Sequence, residues 1–222
     1  MQKNYNSAII VAAGSGSRVG SQSPKQFLRI DGREVLSFSV RAFSSHPQIS
    51  QVVIVTSQEY LDEVSSSYPH CQVILGGETR QDSVYQGLSA CHEDTVNVLV
   101  HDAARPLLPT RIIDECLLSL NSYEGVAPAI EPADSMVLLS DDGFSRLNRE
   151  RLRIVQTPQC FRIDILKTAH ASGLVDTDEI GLVKQALPHA TLTFIPGSPK
   201  MMKITQPMDL EMVSLFMRDL DI

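Results

Sequence analysis

Between Gly14 and Lys25 the chain reads GSGSRVGSQSPK, directly after the apolar run SAIIVAA. Glycines at 14, 16 and 20 let backbone N–H groups approach an anion without interference from Cβ atoms. Arg18 and Lys25 add fixed positive charge to the same loop. Such a loop suits the binding of a polyphosphate and the stabilisation of charge during phosphoryl transfer. Two familiar phosphate loops fail on spacing. A Walker A loop needs lysine straight after its closing glycine, and Ser21 follows Gly20. A dinucleotide fingerprint is G-x-G-x-x-G, whereas Gly14, Gly16 and Gly20 are spaced G-x-G-x-x-x-G. Pro24 also displaces the helix that should begin at once.

Three further stretches carry chemistry. In NVLVHDAARP, Asp102 stands where an apolar strand stops. A carboxylate there can hold Mg²⁺ against phosphate oxygens. The alternative, a helix cap, is weakened by Pro106 and Pro109, which delay the next helix. Arg105 can face the same point. His101 reads as a partly buried histidine that positions Asp102 rather than as a general base. In GGETRQDSV, Gly76 and Gly77 permit a backbone turn at a strand end. Main-chain groups of that turn can pair with the edge of a pyrimidine base, and Ser83 can add a hydroxyl. Arg80 either helps at the base or simply starts the helix. In KMMKIT, Lys203 lies among apolar neighbours, an unusual place for lysine unless its ammonium meets an anion.

These residues need a scaffold, and the hydrophobic pattern supplies one. Apolar runs at Ser7–Gly14, Gln51–Ser57, Cys71–Gly77 and Asn97–Pro106 read as strands. Helical periodicity at Val35–Phe43, Arg80–Cys91 and Pro109–Leu120, with a polar helix at EYLDEVSSS, separates them. Alternating strands and helices of this kind predict an α/β fold with a mainly parallel sheet covered on both faces. Ligands bind outside the carboxyl ends of such strands, where the residues above lie. From Val126 to Phe161 the pattern changes to short strand-like runs. SDDGF is a hairpin signal. An inserted β-arm at about 134–153 is expected, packed on a second subunit or folded back on its own domain. Helices at Ile163–Ser172 and Asp178–Ala186, strands at Thr191–Ile195 and Met202–Thr205, and a helix at Pro207–Leu220 complete the expectation.

The bulk composition agrees. A chain of 222 residues suits one domain with an appendage, and 43% hydrophobic residues can bury a sizeable core. The net charge is −7 and no Lys/Arg block stands out, which argues against nucleic-acid or anionic-membrane surfaces. No apolar run approaches the ~20 residues of a membrane span. Cys71, Cys91, Cys116 and Cys160 show no C-x-x-C spacing, against a zinc ribbon or thioredoxin motif. Free thiols and the lack of a signal peptide point to a cytoplasmic location.

AAGSGSRVGSQSPKQFL, GGETRQDSVYQGL, HDAARPLL, TPQCF, TDEIGLV and KIT occur in this order. Together they resemble the 2-C-methyl-D-erythritol 4-phosphate cytidylyltransferases of the non-mevalonate isoprenoid pathway, over nearly the whole chain. The resemblance implies a Rossmann-like nucleotidyltransferase fold that transfers CMP from CTP to the polyol phosphate. It implies that Ala12, Ala13, Gly14, Gly16, Gly76, Gly77 and Ser83 bind the nucleotide. Arg18, Lys25 and Lys203 stabilise the reacting phosphates, with Lys203 on the α-phosphate, and Asp102 holds the metal. Arg105 contacts the acceptor. Arg149 and Ser135, the latter where threonine is more usual, bind the acceptor's phosphate in the site of a neighbouring subunit of a homodimer. Thr157 and Thr177 line the acceptor pocket. Met201 stands where the family pattern leads one to expect asparagine. The same chemistry on ribitol 5-phosphate, or a CTP-binding protein without turnover, are the rival readings. The intact AAG, RQDSV and HDAARP, and the joint presence of Arg18, Lys25, Asp102 and Lys203, weigh against them.

Overall fold

The computed structural model describes residues 5–14 and 24–218. Strands β1 (Tyr5–Ala12), β4 (Gln51–Thr56), β5 (Gln72–Leu75) and β6 (Thr95–Asp102) are the parallel half of the central sheet, in the order β5-β4-β1-β6. Beyond β6 lies an antiparallel segment made of β10 (Ile154–Val155) and β11 (Gln159–Arg162). Next comes β7 (Gly125–Ile130), and then β12 (Leu192–Pro196), parallel to β7. A small β2–β3 hairpin (Arg29–Ile30 and Arg33–Glu34) stands apart.

The two faces follow from alternation along the strands. Ala8, Ile10, Val52, Ile54 and Leu99 point to one core, with Leu36, Val40 and Phe43 of α1 (Val35–Ser44) and Ile112, Ile113 and Cys116 of α4 (Thr110–Ser119). Ile9, Val53, Val55, Val98 and Val100 point to the other. There they meet Val84 and Leu88 of α3 (Arg80–Ser89), Leu166 of α5 (Ile163–Ala171) and Val183 of α6 (Glu179–Ala186). Near-continuous apolar strands are what a sheet buried on both sides requires. The polar helix is α2 (Leu61–Ser67), and α7 (Pro207–Arg218) closes the chain.

The arm is present but shorter than its insertion. Strands β8 (Val137–Ser140) and β9 (Gly143–Arg146) form a separate two-stranded sheet, every residue of which is exposed. Gly143 has φ 130°, which supplies the left-handed backbone that the turn after Asp141–Asp142 needs.

One expected strand does not form. Pro199 starts a short 3₁₀ turn over Pro199–Met201, capped by Ser198. The Asp209 carboxylate then accepts from the N–H groups of Thr205 and Gln206. With both ends committed, Met202–Thr205 stays an irregular extended link, tied to the fold by an Ile204 N–H bond to the Ala104 carbonyl (2.9 Å).

Helix α3 sits so close to the sheet that a Cβ on Gly87 would lie 2.6 Å from Cγ2 of Ile9. The Gly87→Val variant is expected to lose ~1–3 kcal/mol through overpacking, read as a lower urea midpoint with an unchanged denaturant slope.

Candidate active site

Parallel register aligns the strand ends. Ala12 lies beside Thr56, Thr56 beside Leu75, and Val11 beside Asp102. The first loop therefore leaves the rim next to Gly76 and Asp102. Gly16 and Arg18 lie outside the described residues. At the far end of that loop Pro24 leads into a 3₁₀ turn over Lys25–Phe27. Here the structure adds a residue that the sequence reading missed. The buried side-chain amide of Gln26 donates to the carbonyls of Ala12 (2.6 Å) and Gly14 (2.9 Å). It thus pins both ends of the loop and brings Lys25 to the rim. Burial would raise the Asp209 carboxyl at the start of α7, but hydrogen bonds from the Thr205 and Gln206 N–H groups and the Thr205 hydroxyl, with a smaller contribution from Lys25, hold it below its usual range.

Across the rim, Gly76 donates its N–H to the Thr56 carbonyl (2.8 Å). A Cβ on Gly76 would lie 2.6 Å from Cβ of Ala13, so only glycine lets the two loops meet. Ser83 is buried and its hydroxyl is already used. It accepts from Gly77 N–H (3.2 Å) and donates to the Thr79 carbonyl (2.9 Å), knitting the turn. The turn, rather than this hydroxyl, faces outward.

Asp102 is the centre of the charged cluster. Lys203 Nζ donates to its Oδ2 at 2.8 Å, Arg80 Nε to its Oδ1 at 3.1 Å, and Arg105 Nε stands 3.6 Å from Oδ2. Burial alone would favour the neutral acid, but Arg80 and then Lys203 outweigh it and hold the carboxyl far below the usual range. Burial pulls the Arg105 guanidinium below its ordinary value, with Asp102 opposing. Arg105 also donates to the Met201 carbonyl (2.9 Å), while the Met201 side chain is wholly buried in the core. The site thus uses the backbone of residue 201, and methionine suffices there.

Asp102 is also held from behind. Its backbone N–H donates to Thr157 Oγ1 (3.1 Å), and Thr157 Oγ1 meets His101 Nδ1 (3.1 Å). His101 Nε2 meets the Arg105 carbonyl (3.0 Å). A carbonyl only accepts, so Nε2 carries the proton and the Thr157 hydroxyl donates to Nδ1. His101 is fully rather than partly buried, and that burial keeps the ring neutral. Burial lowers its pKa to about 4. Its expected positioning role fits this chain of bonds. Thr157, expected to line the acceptor pocket, is buried and spends its hydroxyl on Asp102 and His101.

Glu179 is the second residue that sequence reasoning missed. It is 2% exposed, and its two oxygens accept from both terminal nitrogens of Arg80, at 2.8 and 3.0 Å. Burial raises its carboxyl above the usual range, with Arg80 opposing, and the forked pair gives both oxygens charge-assisted hydrogen bonds. Its position at the start of α6 adds the favourable end of the helix dipole. The signal for it was inside TDEIGLV: an acidic residue directly after a helix-capping aspartate. Three cations against two carboxylates leave this cluster one net positive charge on a chain of net −7. Such a rim attracts an anion.

The remaining expected residues lie elsewhere. Thr177 is exposed and donates its N–H to Asp176 (2.6 Å). Ser135 and Arg149 line one recess of about 530 Å³ at the base of the arm, with Arg146 and Asn148. Arg149 donates to the Ala133 carbonyl (2.7 Å). Among the described residues, neither Ser135 nor Arg149 bonds to the Asp102 cluster. No three acidic, histidine or cysteine side chains gather into a metal-binding group among the described residues. Asp102 is the carboxylate with a partly exposed side chain, whereas Glu179 is consumed by Arg80. One carboxylate suits magnesium, which completes its shell with water and substrate phosphates.

A family model described as IspD, 2-C-methyl-D-erythritol 4-phosphate cytidylyltransferase, matches residues 7–219. A 2-C-methyl-D-erythritol 4-phosphate cytidylyltransferase from Clostridium botulinum (strain Loch Maree) is 36% identical over 92% of this chain and 94% of its own. A bifunctional ribulose 5-phosphate reductase/CDP-ribitol pyrophosphorylase, Bcs1, from Haemophilus influenzae is 34% identical over 95% of this chain. The match spans 48% of that longer protein. A solved 4-diphosphocytidyl-2C-methyl-D-erythritol synthase from Anaerococcus prevotii shares the fold, with a TM-score of 0.87 over 97% of each chain at 23% identity.

The buried neutral histidine gives the site a pH signature. The folded-state pKa of His101, about 4, lies below its ordinary 6.5. Its stabilising contribution is therefore complete above about pH 6.5 and lost as pH falls toward about 4. Between pH 7 and pH 5 the loss is about 2 kcal/mol. His170, lowered to about 4 mainly by burial, adds to the same window. Urea unfolding across this range is expected to give a flatter profile for His101→Asn than for the wild type.

Proposed function

This chain belongs to the 2-C-methyl-D-erythritol 4-phosphate cytidylyltransferase family, and from that premise we propose how its residues divide the work. The protein is a cytidylyltransferase of the non-mevalonate isoprenoid pathway. It transfers CMP from CTP to 2-C-methyl-D-erythritol 4-phosphate, giving 4-diphosphocytidyl-2-C-methyl-D-erythritol and pyrophosphate. The observation that carries the residue assignment is the 2.8 Å pair of Lys203 and Asp102 on the rim beside the glycine loops.

In this reading the Ala12–Gly14 and Gly76–Gly77 backbones take the cytosine and ribose. The loop with Gly16, Arg18 and Lys25 takes the triphosphate. The acceptor's phosphate monoester has a second pKa near ~6 and is largely a dianion at neutral pH. It attacks the α-phosphorus in line without a general base or a covalent enzyme intermediate. Lys203, held by Asp102 until phosphate arrives, donates to the α-phosphate oxygens. Arg18 and Lys25 stabilise the departing pyrophosphate. Asp102 is the residue that would hold a divalent ion, and such an ion would supply further charge neutralisation. Arg105 faces the acceptor.

A second copy of this chain completes the assignment. Leu138, Leu139 and Phe144 of the arm are 59%, 76% and 69% exposed, and a two-stranded hairpin is marginal alone. Apolar cover from a partner arm accounts for them, and carries Ser135 and Arg149 to the partner's site as ligands of the acceptor's phosphate. Arginine suits that phosphate by its forked donors. Thr177 borders the same acceptor. Among the described residues no helix is long and apolar enough to cross a membrane. Four free cysteines support a cytoplasmic enzyme.

Pyrophosphate release from CTP and Mg²⁺ tests the reading, with 2-C-methyl-D-erythritol 4-phosphate and ribitol 5-phosphate in parallel and ATP, GTP and UTP as controls. Release with CTP and the methylerythritol phosphate alone is expected. Preference for ribitol phosphate would overturn the acceptor, and CTP binding without release would overturn the enzyme. Lys25→Ala and Lys203→Ala are each expected to lose ~100–1000-fold in rate while folded. A variant within a few-fold of wild type would remove that residue from the mechanism.

Sharing of the sites is tested by mixing. Arg149→Ala and Lys203→Ala are each expected to be impaired alone. Their heterodimer has one site with both residues intact, so activity returns on mixing. Heterodimers that form without recovered activity would confine each site to one chain.

A further inference from the structure

The assignments above leave Arg80 and Glu179 without a part in the reaction. We propose that Glu179 is a positioning residue. Its buried carboxylate seizes the two-nitrogen end of the Arg80 guanidinium, so that Arg80 offers Asp102 only the single Nε–H donor. The proposal rests on Asp102 as the centre of the site and extends that reading.

Three parts of the fold meet in this contact. Arg80 begins α3, Asp102 ends β6 and Glu179 begins α6. The Arg80 nitrogens reach Glu179 at 2.8 and 3.0 Å, and Nε reaches Asp102 Oδ1 at 3.1 Å. A guanidinium is planar, so fixing its two terminal nitrogens fixes the direction of Nε–H. Glu179 is itself immobilised. Asp178 caps its helix through Gly181 N–H (2.8 Å), and the Gln159 side chain accepts from Ile180 N–H (2.9 Å) while donating to Asp178 (3.1 Å).

The arrangement matters because of what Arg80 would do otherwise. A free guanidinium beside a carboxylate takes both oxygens in a forked pair. On Asp102 that fork would compete with Lys203 for Oδ2 and cover the lone pairs a ligand needs. With its end held by Glu179, Arg80 uses Oδ1 alone, and Lys203 keeps Oδ2 at 2.8 Å. Stability alone gives no comparable reason for the pair. A packed apolar pair of similar volume commonly stabilises a fold as well as a buried ion pair does.

The test uses the full-length enzyme with CTP, Mg²⁺ and 2-C-methyl-D-erythritol 4-phosphate. Glu179→Gln keeps the shape and removes the charge. Its kcat is expected to fall on the order of tenfold to a hundredfold, with little change in KM for CTP, and its melting temperature is expected to fall because one partner of a buried ion pair has lost its charge. The double variant Arg80→Met/Glu179→Leu replaces the ion pair by an apolar one and guards against misfolding. It is expected to fold and to show no larger loss in kcat than Arg80→Met alone. Wild-type kcat in the folded Glu179→Gln variant would overturn the proposal. So would a second, multiplicative loss on adding Glu179→Gln to Arg80→Met, because Glu179 would then act without Arg80. A readout independent of substrate is the Arg80 Nε–H signal in a ¹H–¹⁵N spectrum, assigned by its loss in Arg80→Met. It is expected to shift or broaden in Glu179→Gln, and an unchanged signal would overturn the proposal. Turnover by the wild type tests the assigned reaction separately.

Discussion

A buried carboxylate with three cations around it sets the terms for the rest of this molecule. Asp102 lies at the end of a central strand, where its side chain is 10% exposed. Alone it would be neutral there, because taking a charge out of water is costly. Arg80, Lys203 and Arg105 make the ionised form the stable one. The dependence runs the other way too. Three cations crowded onto one rim repel one another, and Asp102 with Glu179 is what holds them together. The result is a set of donors already gathered at one point before any phosphate arrives. Such preorganisation is the feature from which electrostatic catalysis gains most.

The sheet supplies that point. Four parallel strands end together, so loops far apart in sequence share one edge. Closeness then sets strict limits on side-chain size. Gly76 touches Ala13, and Gly77 has Asp82 behind it. Gln26 binds the carbonyls of Ala12 and Gly14, where the first loop leaves its strand. The cations converge on Asp102 because the loops that bear them are fastened to one another.

What could be read in the sequence follows the same division. Strands, helices and the both-faced sheet were legible, since alternation and helical periodicity are local signals. Asp102, Arg105 and Lys203 stood out because a charged residue in an apolar run demands a partner. Their partners could not be named in the same way. Arg80 and Glu179 are 99 residues apart, and only the fold brings them together. Gln26 was overlooked because an amide beside a lysine carries no charge signal. Thr157 was read as a pocket residue, yet its hydroxyl serves Asp102, a contact across 55 residues. The expected strand at Met202–Thr205 failed for a local reason: the side chains of Ser198 and Asp209 claimed the neighbouring backbone N–H groups. Gly16 and Arg18 lie outside the described residues, so the first loop is tied to the site by its two ends, Gly14 and Lys25.

In the proposed division the arm adds a hold on the acceptor's phosphate to the contact that Arg105 makes from the rim. In the same division, activation of the nucleotide rests on the cation cluster, which is fastened at the centre of the sheet. In the proposed division, recognition of the acceptor's phosphate rests on Ser135 and Arg149, on an insertion that shares no strand pairing with that sheet. A relative described as a CDP-ribitol pyrophosphorylase is 34% identical over nearly this whole chain. The phosphate that Ser135 and Arg149 are proposed to hold is common to both kinds of acceptor, so a choice between polyols falls to groups that meet the polyol itself.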